Sequence, residues 1–251
     1  MNNFISEKAV IGENTKIGIN CIVEDGVIVG DNCTIGHNVI IRSNVQIGAN
    51  VRIDDNTIIG KMPMFSPRSI HRAEQTYKKT IIADNCMIGS NVIIYIQCEI
   101  GHSNLVADFA SIRENVVIGN LNIIGRGVSI ENFTKIGNRN KIETNAYITP
   151  YSEIADYCFI APCVATSNDN FVGRDKERFE HFKGITMETG ARVGVNSTIL
   201  PGKTLKKDCL VAGGSVVTKD VPENEVWVGS PAKYFRNVLE SQLLTNNEDK
   251  K

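Results

Sequence analysis

The chain has 251 residues, 42% of them hydrophobic and 22% charged, with 27 Lys and Arg against 28 Asp and Glu. A formal net charge of −1 gives neither nucleic acid nor an anionic membrane an electrostatic reason to bind. No apolar run is long enough to span a bilayer and no charged-then-apolar leader is seen, so a cytoplasmic location is expected.

From its start the chain keeps time in sixes. Positions 5, 11, 17, 23, 29, 35, 41, 47, 53 and 59 are all Ile or Val. The phase breaks over residues 61–80 and recovers at Ile82, then holds through Ile88, Ile94, Ile100, Val106 and onward to Ile160 without a polar residue. It breaks again over 167–186 and resumes at Met187, Val193, Ile199, Leu205, Val211 and Val217. A helix needs apolar residues every three or four positions and a half-buried strand every two. A sustained period of six is instead one short strand and one turn, repeated: a β-solenoid. Asn14, Asn20, Asn32, Asn38, Asn44, Asn50 and Asn56 mark the corners, where the chain needs residues that tolerate positive φ. Cys21, Cys33, Cys86, Cys98, Cys158 and Cys209 occupy the small inward position of a hexad. They read as compact core residues of a reducing compartment, not as disulfides or metal ligands. From Pro231, the residues Phe235, Val238, Leu239 and Leu243 stand at helical spacing and predict one short C-terminal helix, then a polar tail. The expected organisation is a repeat domain over 1–220, with loops at about 61–80 and 167–186, and a C-terminal extension over 221–251.

The period alone does not say how many hexads close one coil. The hexads, and the closing run ILPGKTLKKDCLVAGGSVVTKDVPENEVWVGSPAK, resemble the hexapeptide-repeat acyltransferases over nearly the whole chain. That resemblance implies a left-handed parallel β-helix with three hexads per coil and about ten coils. With three hexads per coil the residues after the aliphatics sort into columns. Two columns are mostly Gly or Ala; the third reads Ser6, Glu24, Arg42, Gly60, Tyr95, Arg113, Glu131. Both loops leave from this third corner, which makes them insertions at one edge, where function is usually placed. Asn104, Asn122 and Asn140 share an inward column and predict an amide ladder. The outward residues of the third face, among them Phe4, Ile22, Ile40, Ile58 and Ile93, are uncharged. An uncharged stripe means that the face is covered; the resemblance implies that a homotrimer covers it.

The resemblance also implies an acyl donor, acetyl-CoA, and no metal. In the closing coils Gly194, Ala212, Gly213, Gly214 and Ser215 leave backbone accessible to a pantetheine arm, while Lys219, Lys233 and Arg236 can meet phosphates. Tight corners and solvated lysines account for each of them separately. The second loop, ATSNDNFVGRDKERFEHFKG, resembles that of acetyltransferases acting on nucleotide-linked amino sugars, including a 3-amino-3,6-dideoxyhexose. Asn168 and Asp169 match the family's Asn-Asp motif, and a dTDP-linked amino-deoxysugar is the implied acceptor. Asp169 then holds or deprotonates the amine, or else simply forms a turn; a carboxylate with an unperturbed pKa near ~4 is better at positioning than as a base. Some members of the resembled family use a His as general base; His71 and His181 lie on the loops, and His181 is the candidate, with neither singled out by the sequence. Glu143 replaces a small residue in its column and either meets the sugar or pairs with Arg126 or Arg192. Arg113 and Glu131 either bind substrate or pair with each other. Lys61, Arg68, Arg72, Lys78 and Lys79, against Glu74 alone, make the first loop basic, which suits a nucleotide diphosphate, with Arg68 and Arg72 as the forks, or is simply a solvated loop. Two alternatives stay open: an O-acetyltransferase for a sugar or serine, and a non-enzymatic scaffold. A zinc carbonic anhydrase on this fold needs three His ligands, and the four histidines here are scattered.

Overall fold

The computed structural model describes residues 2–67 and 77–247. Arg68, Arg72, His71 and Glu74 therefore lie outside the described residues. By its contacts the chain divides into two compact units, Met1–Leu121 and Asn122–Lys251.

The first unit is a parallel β-solenoid. One sheet stacks Phe4–Ile5, Ile22–Val23, Ile40–Ile41, Ile58–Lys61, Ile93–Tyr95 and Ser111–Ile112. A second runs from Val10–Ile11 to Val117–Ile118 and a third from Lys16–Ile17 to Leu105–Val106. Every pairing is parallel, as in Phe4 with Ile22 and Met87 with Leu105, so residues 18 apart share a column. From Ile22–Val23 onward the strands of this unit turn a residue into the interior, whereas Phe4 and Ile5 of the first strand are both exposed. Ile41, Ile47, Ile53, Ile59, Ile82, Ile88, Ile94 and Ile100 are all fully buried in the interior. Between strands the corner Asn residues hold φ values of 55° to 63°, the left-handed region that a short polar side chain enters at least cost. Neighbouring corners bond through their amides, Asn20 to Asn38 and Asn38 to Asn56, each at 3.2 Å.

The second unit repeats the design. Its sheets run from Ser129–Ile130 to Val216–Val217, from Lys135–Ile136 to Thr204–Leu205, and from Ile123–Ile124 to Leu210–Val211 and beyond. Inside it the Asn140 N–H donates to Asn122 Oδ1 at 2.8 Å, and Asn140 Oδ1 accepts from the Cys158 N–H at 2.7 Å. The ladder thus bonds backbone to side chain, coil to coil, at a buried position. At its corners several bulky residues hold positive φ: Phe133 at 59°, Tyr151 at 62° and Tyr157 at 58°. Phe133 and Tyr151 stack with ring centroids 5.3 Å apart. Among the described residues the first sheet has eleven strands, and the third has twelve of which the last is antiparallel, so the coil count lies slightly above the ten expected.

The end of the chain differs from expectation. Glu225–Val228 still belongs to the solenoid, pairing in parallel with Leu210–Val211. The chain then reverses, and Lys233–Asn237 returns antiparallel along it, with Val226 opposite Arg236 and Val228 opposite Lys233. The helix predicted from Pro231 is thus a β-strand, followed only by the short 3-10 turns Glu240–Gln242 and Leu244–Asn246. The reason lies in the last solenoid strand, whose outer edge carries unpaired N–H and C=O groups that a returning strand satisfies. The apolar spacing that suggests a helix has no matching surface to cover. Val238 is buried, but Phe235 and Leu239 remain 64% and 53% exposed.

Candidate functional site

Each loop leaves its own unit at the end of a strand, the first after Ile58–Lys61 and the second after Ala165–Thr166. The first departs through a bulge: Ile59 pairs with Ile94 but Tyr95 pairs with Lys61, leaving Gly60 as an extra residue. Gly60 holds φ +81°, and a Cβ there would come within 2.7 Å of Val45 Cγ2. Only glycine fits, and the bulge re-aims Lys61. Lys61 Nζ then lies 3.1 Å from the Tyr95 hydroxyl and 4.8 Å from the centre of its ring. Arg113 covers the same ring at 4.9 Å. Its Nε and Nη2 donate to Oε2 and Oε1 of the buried Glu114 at 2.9 and 3.0 Å. Glu114 was not singled out in the sequence. Its signal in the sequence is only a carboxylate adjacent to Arg113; its burial, which makes the charge need a partner, appears in the structure.

Beside this cluster lies a cavity of about 570 Å³ lined by Arg42, Gly60, Lys61, Met62, Tyr77 and Lys78, among others. Its acidic wall residue, Glu24, is occupied: it accepts from Arg42 Nη1 and from the Ser43 N–H. Burial pushes the Glu24 carboxyl up, but these bonds outweigh it and hold the group below the usual carboxylate range. Lys61 and Lys78 are left as the cations facing the space, as a phosphate-bearing ligand requires.

In the second unit, the second loop is organised by Asp169. Oδ1 accepts from the Phe171 N–H at 2.9 Å; Oδ2 accepts from the Gly173 N–H at 2.9 Å and Arg178 Nη1 at 3.0 Å. Burial pushes this carboxyl up, yet the Gly173 and Phe171 N–H groups and the Arg178 charge prevail, and its pKa is lowered. Such a carboxylate is a poor base. Asn168, beside it, is half-buried and its carbonyl accepts from the Lys183 N–H. His181 Nε2 lies 3.1 Å from Glu177 Oε1, and its ring stacks on Phe171 at 6.0 Å. The spacing of four residues between Glu177 and His181 is the sequence signal for this pair. Glu143 is half-buried and forms no ion pair with Arg126 or Arg192. Glu131 is likewise half-buried, its N–H donating to the Ile148 carbonyl.

The closing coils of the same unit separate the predicted coenzyme residues into two kinds. Gly213 and Gly214 are exposed, and a Cβ on Gly214 would meet nothing within 4 Å. Gly194 is a packing glycine, since a Cβ there would lie 2.5 Å from the Gly213 nitrogen. Ala212 gives its N–H to the Trp227 carbonyl. Ser215 is fully buried and its Oγ accepts from the Gly229 N–H at 3.1 Å, so it holds the final strand and offers nothing to a ligand. Lys219 and Lys233 are exposed; Arg236 Nη1 donates to the Asn237 carbonyl at 2.8 Å.

Among the described residues, no group of three or more His, Cys, Asp or Glu side chains is placed to hold a metal ion. Nor is any helix among them long and apolar enough to cross a membrane.

Comparison with known proteins agrees with this architecture. Residues 8–43 match the model of the bacterial transferase hexapeptide, six repeats. Residues 79–101 and 184–219 match the hexapeptide repeat of succinyl-transferase. A candidate acetyltransferase of Saccharomyces cerevisiae is 34% identical over 92 residues, covering 36% of this chain and 47% of that protein. The mitochondrial gamma carbonic anhydrase 2 of Arabidopsis thaliana is 38% identical over 63 residues, 24% of this chain and 23% of that one. The matches thus span less than half the length of these curated relatives. In structure, Arabidopsis UDP-N-acetylglucosamine acyltransferase superposes with a TM-score of 0.65 over 98% of this chain and 76% of that one, at 18% identity. At that identity the likeness is one of fold. Over these segments the chain carries hexapeptide repeats of the transferase type, and its fold is similar to that of the Arabidopsis acyltransferase.

Proposed function

We propose that the protein transfers an acetyl group from acetyl-CoA to the amine of a nucleotide-linked amino-deoxysugar, with dTDP as the nucleotide. The observation that carries the transferase reading is the match of residues 184–219 to a transferase repeat. That segment contains the exposed Gly213–Gly214 step. There the backbone lies bare beside solvent, as a pantetheine arm needs when its amides bond to main chain.

In this reading the thioester arrives activated, and the protein binds, aligns and takes up a proton. In the first unit, Lys61 and Lys78 offer the charge that a phosphate-bearing ligand takes up. Asp169 fixes the loop through Arg178 and so places the Asn168 amide, which orients the acceptor amine. His181 takes the amine proton: in the tautomer that donates from Nε2 to Glu177, Nδ1 is the basic nitrogen. The amine nitrogen bonds to the acetyl carbon, the carbon–sulfur bond breaks, and the departing thiolate takes up a proton. Half-buried Glu143, without an ion-pair partner, meets sugar hydroxyls. The uncharged outer face is covered by second and third copies of the chain.

The test is direct. The protein is mixed with acetyl-CoA and a panel of nucleotide-linked amino sugars, with their hydroxyl counterparts beside them. Thiol release and product mass are then followed. N-acetylation of an amino sugar is the expected result. Turnover of hydroxyl acceptors alone would assign O-acetyl transfer. No turnover, together with no thermal stabilisation by coenzyme A, would leave a scaffold.

A further inference from the structure

A second feature of the Asn122–Lys251 unit goes beyond acyl transfer and does not depend on it. Strand Arg192–Val193 lies between Phe159–Ile160 and Leu210–Val211, so Arg192 projects outward between Phe159 and Leu210. Over it pass the two C-terminal turns, Glu240–Gln242 and Leu244–Asn246. Together they enclose a cavity of about 220 Å³ whose walls include Tyr157, Arg192, Asp208, Ser241, Gln242 and Asn247.

Within it, Nε and Nη2 of Arg192 are buried and make no hydrogen bond. Most carbonyls of the covering segment are engaged within it. The Leu239 carbonyl accepts from the Gln242 N–H, and the Glu240 carbonyl accepts from the Leu243 N–H and Asn246 Nδ2. The Ser241 carbonyl accepts from Asn247 Nδ2, and the Leu244 carbonyl from the Asn247 N–H. Asp208 fastens this segment down by accepting from the Leu244 N–H at 3.0 Å, but it forms no ion pair with Arg192.

Leaving two guanidinium N–H groups buried and unbonded is costly. Fold stability alone would be served better by an apolar residue there, like Phe159 and Leu210 on either side. The fork of adjacent Nε–H and Nη2–H groups matches two oxygens of one oxyanion. The nearby Asp208 carboxylate asks for a hydrogen-bond donor on the same ligand, which a phosphate in its ordinary protonation states carries as O–H.

We propose that this cavity binds a small protonated oxyanion of the phosphate type on Arg192, and that the bound anion fastens the C-terminal segment to the final coils. The site lies at the corner of Tyr157, Gly190 and Asp208, whereas Gly194 and Gly214 line the following corner.

Thermal unfolding of the full chain, titrated with inorganic phosphate at constant ionic strength, tests it. The midpoint of the wild type should rise with the logarithm of phosphate concentration, as for any ligand that binds only the native state. Arg192→Met, which keeps the apolar stem, should weaken phosphate roughly tenfold to hundredfold. Arg52→Met, which removes an exposed arginine paired with Asp54, should keep the wild-type response. Hydrogen exchange over residues 239–247 of the wild type gives a readout that needs no variant; phosphate should slow it. An equal rise with chloride, an undiminished response in Arg192→Met, or no change in exchange overturns the proposal.

Discussion

Arg178 Nη1 donates to Asp169 Oδ2 at 3.0 Å across the second loop, and with two backbone N–H groups on the same carboxylate this makes Asp169 the hub of its own loop. A carboxylate so engaged has little capacity left to accept a proton. Its folded pKa lies below its unfolded value near ~3.9. The loop stabilisation it provides is therefore complete above that value and lost as pH falls through the lower folded pKa. Asp169→Asn should speed hydrogen exchange in residues 168–178 at neutral pH. Its effect on kcat should stay below roughly tenfold, because a residue that only places others does not carry the ~10²–10⁴ of a general base. A kcat loss of that larger size, with the acidic limb of the pH–rate profile abolished, would assign the base to Asp169.

His181 carries the opposite expectation. His181→Ala should lower kcat by ~10²–10⁴ with modest change in KM. Glu177→Gln should cost less, since it disturbs only the ring's orientation. Retention of full kcat in His181→Ala would mean that the amine loses its proton to solvent.

Gly60 is the most exacting position of the first loop. Gly60→Ala puts a Cβ against Val45 Cγ2 at φ +81°, and should destabilise the protein by about 1–3 kcal/mol. Because the bulge aims Lys61, the same change should raise KM for the nucleotide-linked substrate more than for acetyl-CoA. A variant as stable as the wild type in denaturant would show that the bulge relaxes freely.

The cysteines supply a check on packing. Six are buried and Cys163 is exposed. Burial pushes the thiols of Cys98, Cys158 and Cys209 up to about 12, so they stay protonated and unreactive. A thiol reagent at neutral pH should label one cysteine quickly in the native protein, and all seven after unfolding. A second rapid thiol would locate a coil that opens.

The uncharged face predicts an assembly. Ile22 is exposed and Ile40, Ile58 and Ile93 are half-buried within one chain. Ile40→Lys with Ile58→Lys should force unpaired charge into the contact and dissociate a trimer, read as a fall in mass by light scattering. An unchanged mass at low concentration would give the stripe another explanation.

The repeat was written into local residue types, and these alone determined the solenoid, its corners and its two loops. Each inward Ile meets the residue one coil away, in the same column, so a period of six read along the chain is also a statement about packing. Asn at a corner and Cys at a small inward site obey the same rule, and so does the Asn122–Asn140 ladder. Where side chains choose partners out of step with the period, only the tertiary structure decided. Arg113 grips its neighbour Glu114, whose buried carboxylate must be paired. Asp169 reads in the sequence as an amine ligand or as a turn residue, and its carboxylate bonds within its own loop. The terminal apolar spacing reads as a helix, but an open sheet edge captures Lys233–Asn237 as a strand. Arg192 reads as a possible mate for Glu143, and its unbonded guanidinium emerges only once the C-terminal turns lie over it. Periodic burial is a local property of such a chain; hydrogen-bond and charge partners depend on which segments come to rest together.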